Sequence, residues 1–222
     1  MPYPIELSAV RRPNQVCLAK GRVFFSIFFK DNEGAFQRAA MQWETEIKFT
    51  ESFIPSQDEF IRKEVIYEED FKQAWHDIAF YSKMKNKTVW LGQLFTHASK
   101  QIDGKDGLEF VPSGLHRENL TLTQDEIIAL PKMPWSDKFG CLILSGCNTG
   151  RRDERGWSPA QTFALTHKVL TLGQTGFAYF SNVWDSFSKI KPSDAKIFLW
   201  AYQHHRNGLG GSRMPAAIYF SP

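Results

Sequence analysis

The sequence predicts an α/β domain in which a mainly parallel sheet carries helices on both faces, a three-layer α/β/α arrangement. Two observations carry this expectation. Residues 22–29 (RVFFSIFF), 88–95 (TVWLGQLF) and 141–145 (CLILS) are apolar nearly throughout, as strands covered on both faces are. Between such runs lie segments whose apolar residues recur every three or four positions, the stripe of an amphipathic helix. Strands alternating with helices imply crossover connections and hence parallel pairing.

Taken in order, residues 1–20 show no clear pattern, and the first strand follows at 22–29. After the turn KDNEG, Phe36, Ala39, Ala40, Trp43 and Ile47 share one helical face. The run EFIRKEVIY alternates weakly, as a second strand would. Glu68, Glu69 and Asp70 then suit the positive end of a second helix, whose inner face holds Phe71, Ala74, Trp75, Ile78 and Tyr81. The strand at 88–95 runs directly into Thr96-His97-Ala98-Ser99. A polar loop, the short run LEFVP and a capping box formed by Thr123 and Glu126 follow. The strand at 141–145 leads to Ser158-Pro159, a serine cap with proline in the first helical position. Phe163, Ala164 and Leu170 are expected on the inner side of that helix. A strand at 176–182, a helix from Ser193 to about His205 and a closing strand at 216–220 complete one domain over 1–222, with no internal repeat.

Composition narrows the function. An apolar fraction of 42% and a charged fraction of 23% are ordinary for a globular protein of 222 residues. The net charge of +3 is small and its lysines are interspersed with glutamates, which speaks against a nucleic-acid partner. No window holds the roughly 18 apolar residues of a spanning helix, and the first residues lack the pattern of a signal peptide. The expectation is therefore no membrane association. Cys17, Cys141 and Cys147 fit neither a disulfide framework nor a metal-binding spacing, so a reducing, cytoplasmic compartment is expected.

In parallel sheets the chemistry gathers beyond the carboxyl ends of the strands. Two consecutive buried strands here end in reactive groups, one in His97 and the next in Cys147. A thiol needs its proton removed before it attacks, and an imidazole that takes the proton and later delivers it to a leaving amine is the minimal apparatus of acyl transfer. Gly146 is expected to leave room for substrate, and Gly150 to let the chain fold away. The backbone N–H groups of Cys147 and Ala98 are the candidate oxyanion donors. A cysteine beside a buried strand is more often a small core residue, and Cys141, inside its apolar run, is read that way. His76, His116, His167, His204 and His205 are read as solvated or packed.

Across Thr96 to Trp184 the segments FTHAS, SGLHRENLTLTQDEIIAL, LILSGCNTG and GFAYFSNVW, and then MPAAIYF, stand in the order and at the spacing of a known family. The chain resembles the CHAT-domain cysteine peptidases, caspase-like proteins related to separase and the caspases. The resemblance covers roughly residues 70–220. It implies a caspase-like fold and a cysteine endopeptidase acting through a Cys147–His97 dyad, with a protein or peptide substrate, a possible regulatory protein partner, and no cofactor. The two residues stand about 50 positions apart, similar to the spacing of a caspase pair. Departures are Ala98 where the family usually has glycine, Gly146 where alanine is commoner, and RRDERG in place of a glycine-rich loop.

The resemblance also suggests where specificity resides. Asp185 and Trp184, at the end of GFAYFSNVW, would border the pocket for the residue before the scissile bond, with Asp185 favouring a basic side chain. Arg151, Arg152 and Arg155 would instead favour an acidic one. A glutamine amidotransferase or α/β-hydrolase elbow does not fit, because the order is Ser-Gly-Cys-Asn-Thr-Gly. The alternative from another class is a non-catalytic caspase-like module acting by protein contacts, within a toxin or defence system.

Overall fold

The computed structural model describes residues 21–32, 34–99, 107–110, 120–152, 156–174 and 216–219. The described elements are β1 (Arg22–Phe29), α1 (Ala35–Lys48), β2 (Glu59–Val65), α2 (Glu68–Met84), β3 (Thr88–Phe95), β4 (His97–Ser99), β5 (Gly107–Glu109), β6 (Thr121–Leu122), α3 (Gln124–Ala129), β7 (Cys141–Ser145), α4 (Pro159–His167), β8 (Leu170–Gln174) and β9 (Ala216–Tyr219). The main sheet has the order β2-β1-β3-β7-β8-β9. Its first five strands are mutually parallel, and β9 runs antiparallel to β8. The chain moves outward from β1 to β2 and then returns to the other side of β1 at β3. The strand order therefore reverses between β1 and β3, the position where parallel sheets open a crevice at their carboxyl ends.

The apolar runs explain the burial. All eight residues of β1 are buried. Successive side chains point to opposite faces, and adjacent Phe24 and Phe25 illustrate it. Phe24 meets Phe53, while Phe25 meets Trp75 of α2 and Trp135. On the Phe24 side, Trp43 of α1 packs on Phe60 of β2, the register partner of Phe24. At the amino end of the sheet the Arg22 guanidinium pairs with Asp58, which also accepts the Ile54 N–H at 2.7 Å. Both side chains of the ion pair are under 10% exposed, a setting in which loss of one partner strands a buried charge.

The helix ends follow the sequence signals. Asp70 accepts the N–H groups of Ile66 and Tyr67 at 3.0 and 2.9 Å, fixing the start of α2. Thr123 and Glu126 form the expected capping box, and Ser158 accepts the Gln161 N–H at 3.2 Å. Two sequence expectations change. Leu170 does not belong to the helix after Ser158. That helix stops at His167, Lys168 turns left-handed with φ 51°, and Leu170 opens β8. No glycine marks this stop, which is why the boundary was hidden. His97 does not end the strand at 88–95 but opens β4, part of a second, antiparallel sheet of order β4-β5-β6. Of the two readings open for His167, it takes the packed one, buried against Trp75 and Phe163 with its Nε2 3.1 Å from the Ile127 carbonyl. The strand expected at 176–182, the helix from Ser193 and the segment 1–20 lie outside the described residues. Among the described residues no helix is long and apolar enough to cross a membrane.

Candidate active site

Strand register brings the two reactive side chains to the same end of the sheet. In the parallel pair β3·β7, Phe95 stands opposite Ser145. His97 and Cys147 each follow two residues later, on the carboxyl side of neighbouring central strands. The intervening residues are in close contact. A Cβ at Gly146 would lie 2.8 Å from the Thr96 carbonyl oxygen and 3.5 Å from Cβ of Ala98. Glycine at 146 thus serves the close approach of the His97 and Cys147 segments. The room it was expected to leave for substrate is filled by the protein itself.

The turn that carries Cys147 is braced from the side. Asn148 is left-handed with φ 55°. Thr149, fully buried, lies with its hydroxyl 3.1 Å from the Leu144 carbonyl and 3.0 Å from that of Gly146, and the same oxygen accepts the Gln174 N–H at 3.0 Å. Gly150 donates to the Gln174 carbonyl at 2.8 Å, Ala160 donates to the Thr149 carbonyl at 3.0 Å, and the Tyr219 hydroxyl donates to the Gly150 carbonyl at 2.6 Å. A Cβ at Gly150 would come within 2.4 Å of the Gly173 carbonyl oxygen. Gly150 therefore permits backbone to pack on backbone, which is a different role from the change of chain direction expected of it.

The environment of His97 suits a proton acceptor. Its ring stands edge-on to Phe36, with centroids 4.9 Å apart, and to Phe29 at 5.8 Å. Burial holds its pKa below the ordinary 6.5, against the opposing pull of the Glu109 and Asp31 charges. A depressed value keeps the imidazole neutral at neutral pH. Glu109 is its register partner across β4·β5. Cys147 is half-buried, whereas Cys141 is buried and its thiol is pushed up to about 12 by desolvation. Neither forms a disulfide. Ala98 pairs with Leu108 and is not among the described residues with positive φ, so alanine costs nothing there in backbone strain.

The remaining sequence candidates divide. Arg151 and Arg152 are exposed, and Arg152 lies over the Tyr219 ring at 5.8 Å. His76 is on the outer side of α2, stacked on Phe80. Trp184, Asp185, Arg155, His116, His204, His205 and Cys17 lie outside the described residues. Sequence reasoning missed a buried polar seam beneath the turn. Ser26, Gln93, Ser145 and Gln174 sit on four consecutive strands and share one face by register. Gln93 donates to the Ser145 hydroxyl at 2.7 Å, while both side-chain amide atoms of Gln174 are buried without a partner. The signal was present, because a serine or glutamine interrupts or ends each of these apolar runs. No protein-family model matches the chain, and no curated protein matches it.

Proposed function

We propose that the chain is a cysteine endopeptidase of caspase-like, three-layer architecture that cleaves a protein or peptide substrate through a thioester formed on Cys147. The observation that carries this reading is the register of β3 against β7, with Gly146 packed on Thr96 and Ala98. It aligns a half-buried thiol with a desolvated, neutral imidazole at the carboxyl ends of adjacent strands. The packing of α1 on Phe60 of β2 and of α2 on Phe25 of β1 supports the layered architecture.

In this mechanism His97 takes the proton of the Cys147 thiol, and the thiolate attacks the scissile carbonyl carbon. The tetrahedral oxyanion is held by the backbone N–H groups of Cys147 and Ala98. Its collapse breaks the C–N bond as His97 gives the proton to the departing amine. Water, deprotonated by the same imidazole, then hydrolyses the thioester. Asp185 and Trp184 are the proposed specificity residues, with a basic side chain expected before the cut.

The test is alkylation by iodoacetamide alongside peptide cleavage. Cys147→Ala and His97→Gln are each expected to lower cleavage by about 10³-fold or more, with little change in melting temperature. Cys141→Ala should retain cleavage and lose about 1 kcal/mol of stability. Because the chemistry uses a thiol and an imidazole, cleavage should survive EDTA and disappear on alkylation. If Cys147 reacts no faster than a small-molecule thiol and no peptide is cut, the non-catalytic module replaces this reading.

A further inference from the structure

The crevice where strand order reverses, between β1 and β3, contains an acid that the dyad does not use. Asp31 follows the carboxyl end of β1, one strand away from His97, as His97 is one strand away from Cys147. The three residues therefore stand at the ends of β1, β3 and β7, consecutive in the sheet. Asp31 is also tied to the packing around the imidazole. Its Oδ2 accepts the Ala35 N–H at 3.0 Å, fixing the carboxylate to the first residue of α1, and the next residue, Phe36, sets its ring edge-on to His97. The second oxygen, Oδ1, is buried and has no hydrogen-bond partner.

A buried carboxylate oxygen left without a donor costs about 1–3 kcal/mol or more, so its retention asks for a donor. The charges that act on His97 are those of Glu109, from β5, and Asp31. Only Asp31 combines that reach with a fixed position and a buried oxygen awaiting a donor.

We propose that Asp31 is the positioning residue of the site, its Oδ1, unpartnered in the resting structure, accepting a ring N–H of His97 as the imidazole takes up the Cys147 proton. The inference rests on the Cys147–His97 reading and extends it from a dyad to a line of three groups. A carboxylate in that place selects the tautomer that presents a bare nitrogen to the thiol and stabilises the imidazolium formed when the proton moves. Asp31 touches no reacting atom.

The experiment measures the rate of Cys147 alkylation by iodoacetamide against pH in the full chain and in Asp31→Asn, Glu109→Gln and His97→Gln, with a melting curve for each. Asp31→Asn keeps an oxygen for the Ala35 N–H and replaces the charge and the Oδ1 acceptor by an amide NH2. It is expected to slow alkylation at neutral pH about tenfold and to move the profile upward by about one pH unit, since one unit corresponds to a tenfold change in the thiolate population. Asp31→Glu, which restores the charge, should recover most of the rate. If Asp31→Asn melts early, Asp31→Ser, which keeps a hydroxyl oxygen as an acceptor before the helix start, is read in its place. A profile for these variants that superimposes on the parent while His97→Gln remains slow would overturn the role of Asp31 alone. Transfer of the effect to Glu109→Gln would also overturn it. If His97→Gln leaves alkylation unchanged, the dyad itself falls, and the positioning role with it.

Discussion

At Thr149 one hydroxyl serves backbone groups on two strands. It stands within hydrogen-bonding distance of the Leu144 and Gly146 carbonyls and accepts the Gln174 N–H. The position of Cys147 is thus set by a neighbour two residues away. Thr149→Val preserves shape and leaves these buried groups unpaired, a loss of about 1–3 kcal/mol. We expect chemical denaturation to show that loss. Cleavage should fall further than stability alone would require, because the turn holding Cys147 keeps only one of its two hydrogen bonds to Gln174 of β8. Unchanged cleavage per folded molecule would show that the bonds made by Gly150 to Gln174 and Tyr219 hold the turn without the hydroxyl. Thr149 was invisible in the sequence, since a threonine after a cysteine carries no periodic signal and its importance arises from a partner 25 residues away.

Among the elements, α3 depends most on titratable contacts. It is six residues long, and its first turn offers Glu126 to Lys72 of α2 at 2.8 Å, with Glu68 paired to the same lysine. Burial and the neighbouring Glu126 raise Glu68 to about 7, whereas Glu126, despite its own desolvation, is held down to about 2 by hydrogen bonds with Glu68, Lys72 and Thr123. The signs follow. A raised pKa means the protonated Glu68 contributes stability that is complete below about 4.5 and lost as pH rises through about 7. A lowered one means the Glu126 contribution is present above about 4.5 and lost as pH falls toward about 2. On the other side of α3, His167 is held at about 4, chiefly by burial, so its contribution is present above 6.5 and lost as pH falls through about 4. Glu68→Gln should remove the decline between pH 4.5 and 7 while leaving the acid loss in place. Urea titrations at half-unit pH steps would check it, and an undiminished decline in the variant would assign the effect elsewhere.

At the scale of the whole molecule, β2 forms one edge of the described sheet. Arg62 and Lys63 sit side by side in its middle, paired to Glu44 of α1 and Asp77 of α2. Two edges meeting antiparallel would bring these positive charges together, a device that discourages strand addition. Replacing both with threonine should increase the concentration dependence of the hydrodynamic radius. A variant as monodisperse as its parent would show that the edge is guarded by other means.

Much of the fold was legible because burial on two faces leaves an unmistakable run. The strands at 22–29, 88–95 and 141–145 have those bounds in the structure, and the caps at Thr123 and Ser158 are local signals read locally. The three-residue β4 was not legible, since its pairing with β5 is decided by register across a polar loop. Nor was β8, whose start depends on a left-handed lysine. For the site, strand ends pointed to His97 and Cys147, yet the role of Gly146 emerged only from the contact it makes with Thr96 and Ala98.

The brace around Cys147 also has a consequence in time. The groups that pin its turn, Gln174 in β8 and Tyr219 in β9, leave the ribosome well after the cysteine does. A nascent chain therefore carries the thiol before it carries the residues that brace its turn. Under the proposed peptidase activity, synthesis itself would act as a safety catch, keeping an unfinished copy from attacking neighbouring polypeptides. Chains stalled before Ala216 should present Cys147 as an ordinary thiol toward alkylating probes, and release of the full chain should switch its reactivity on.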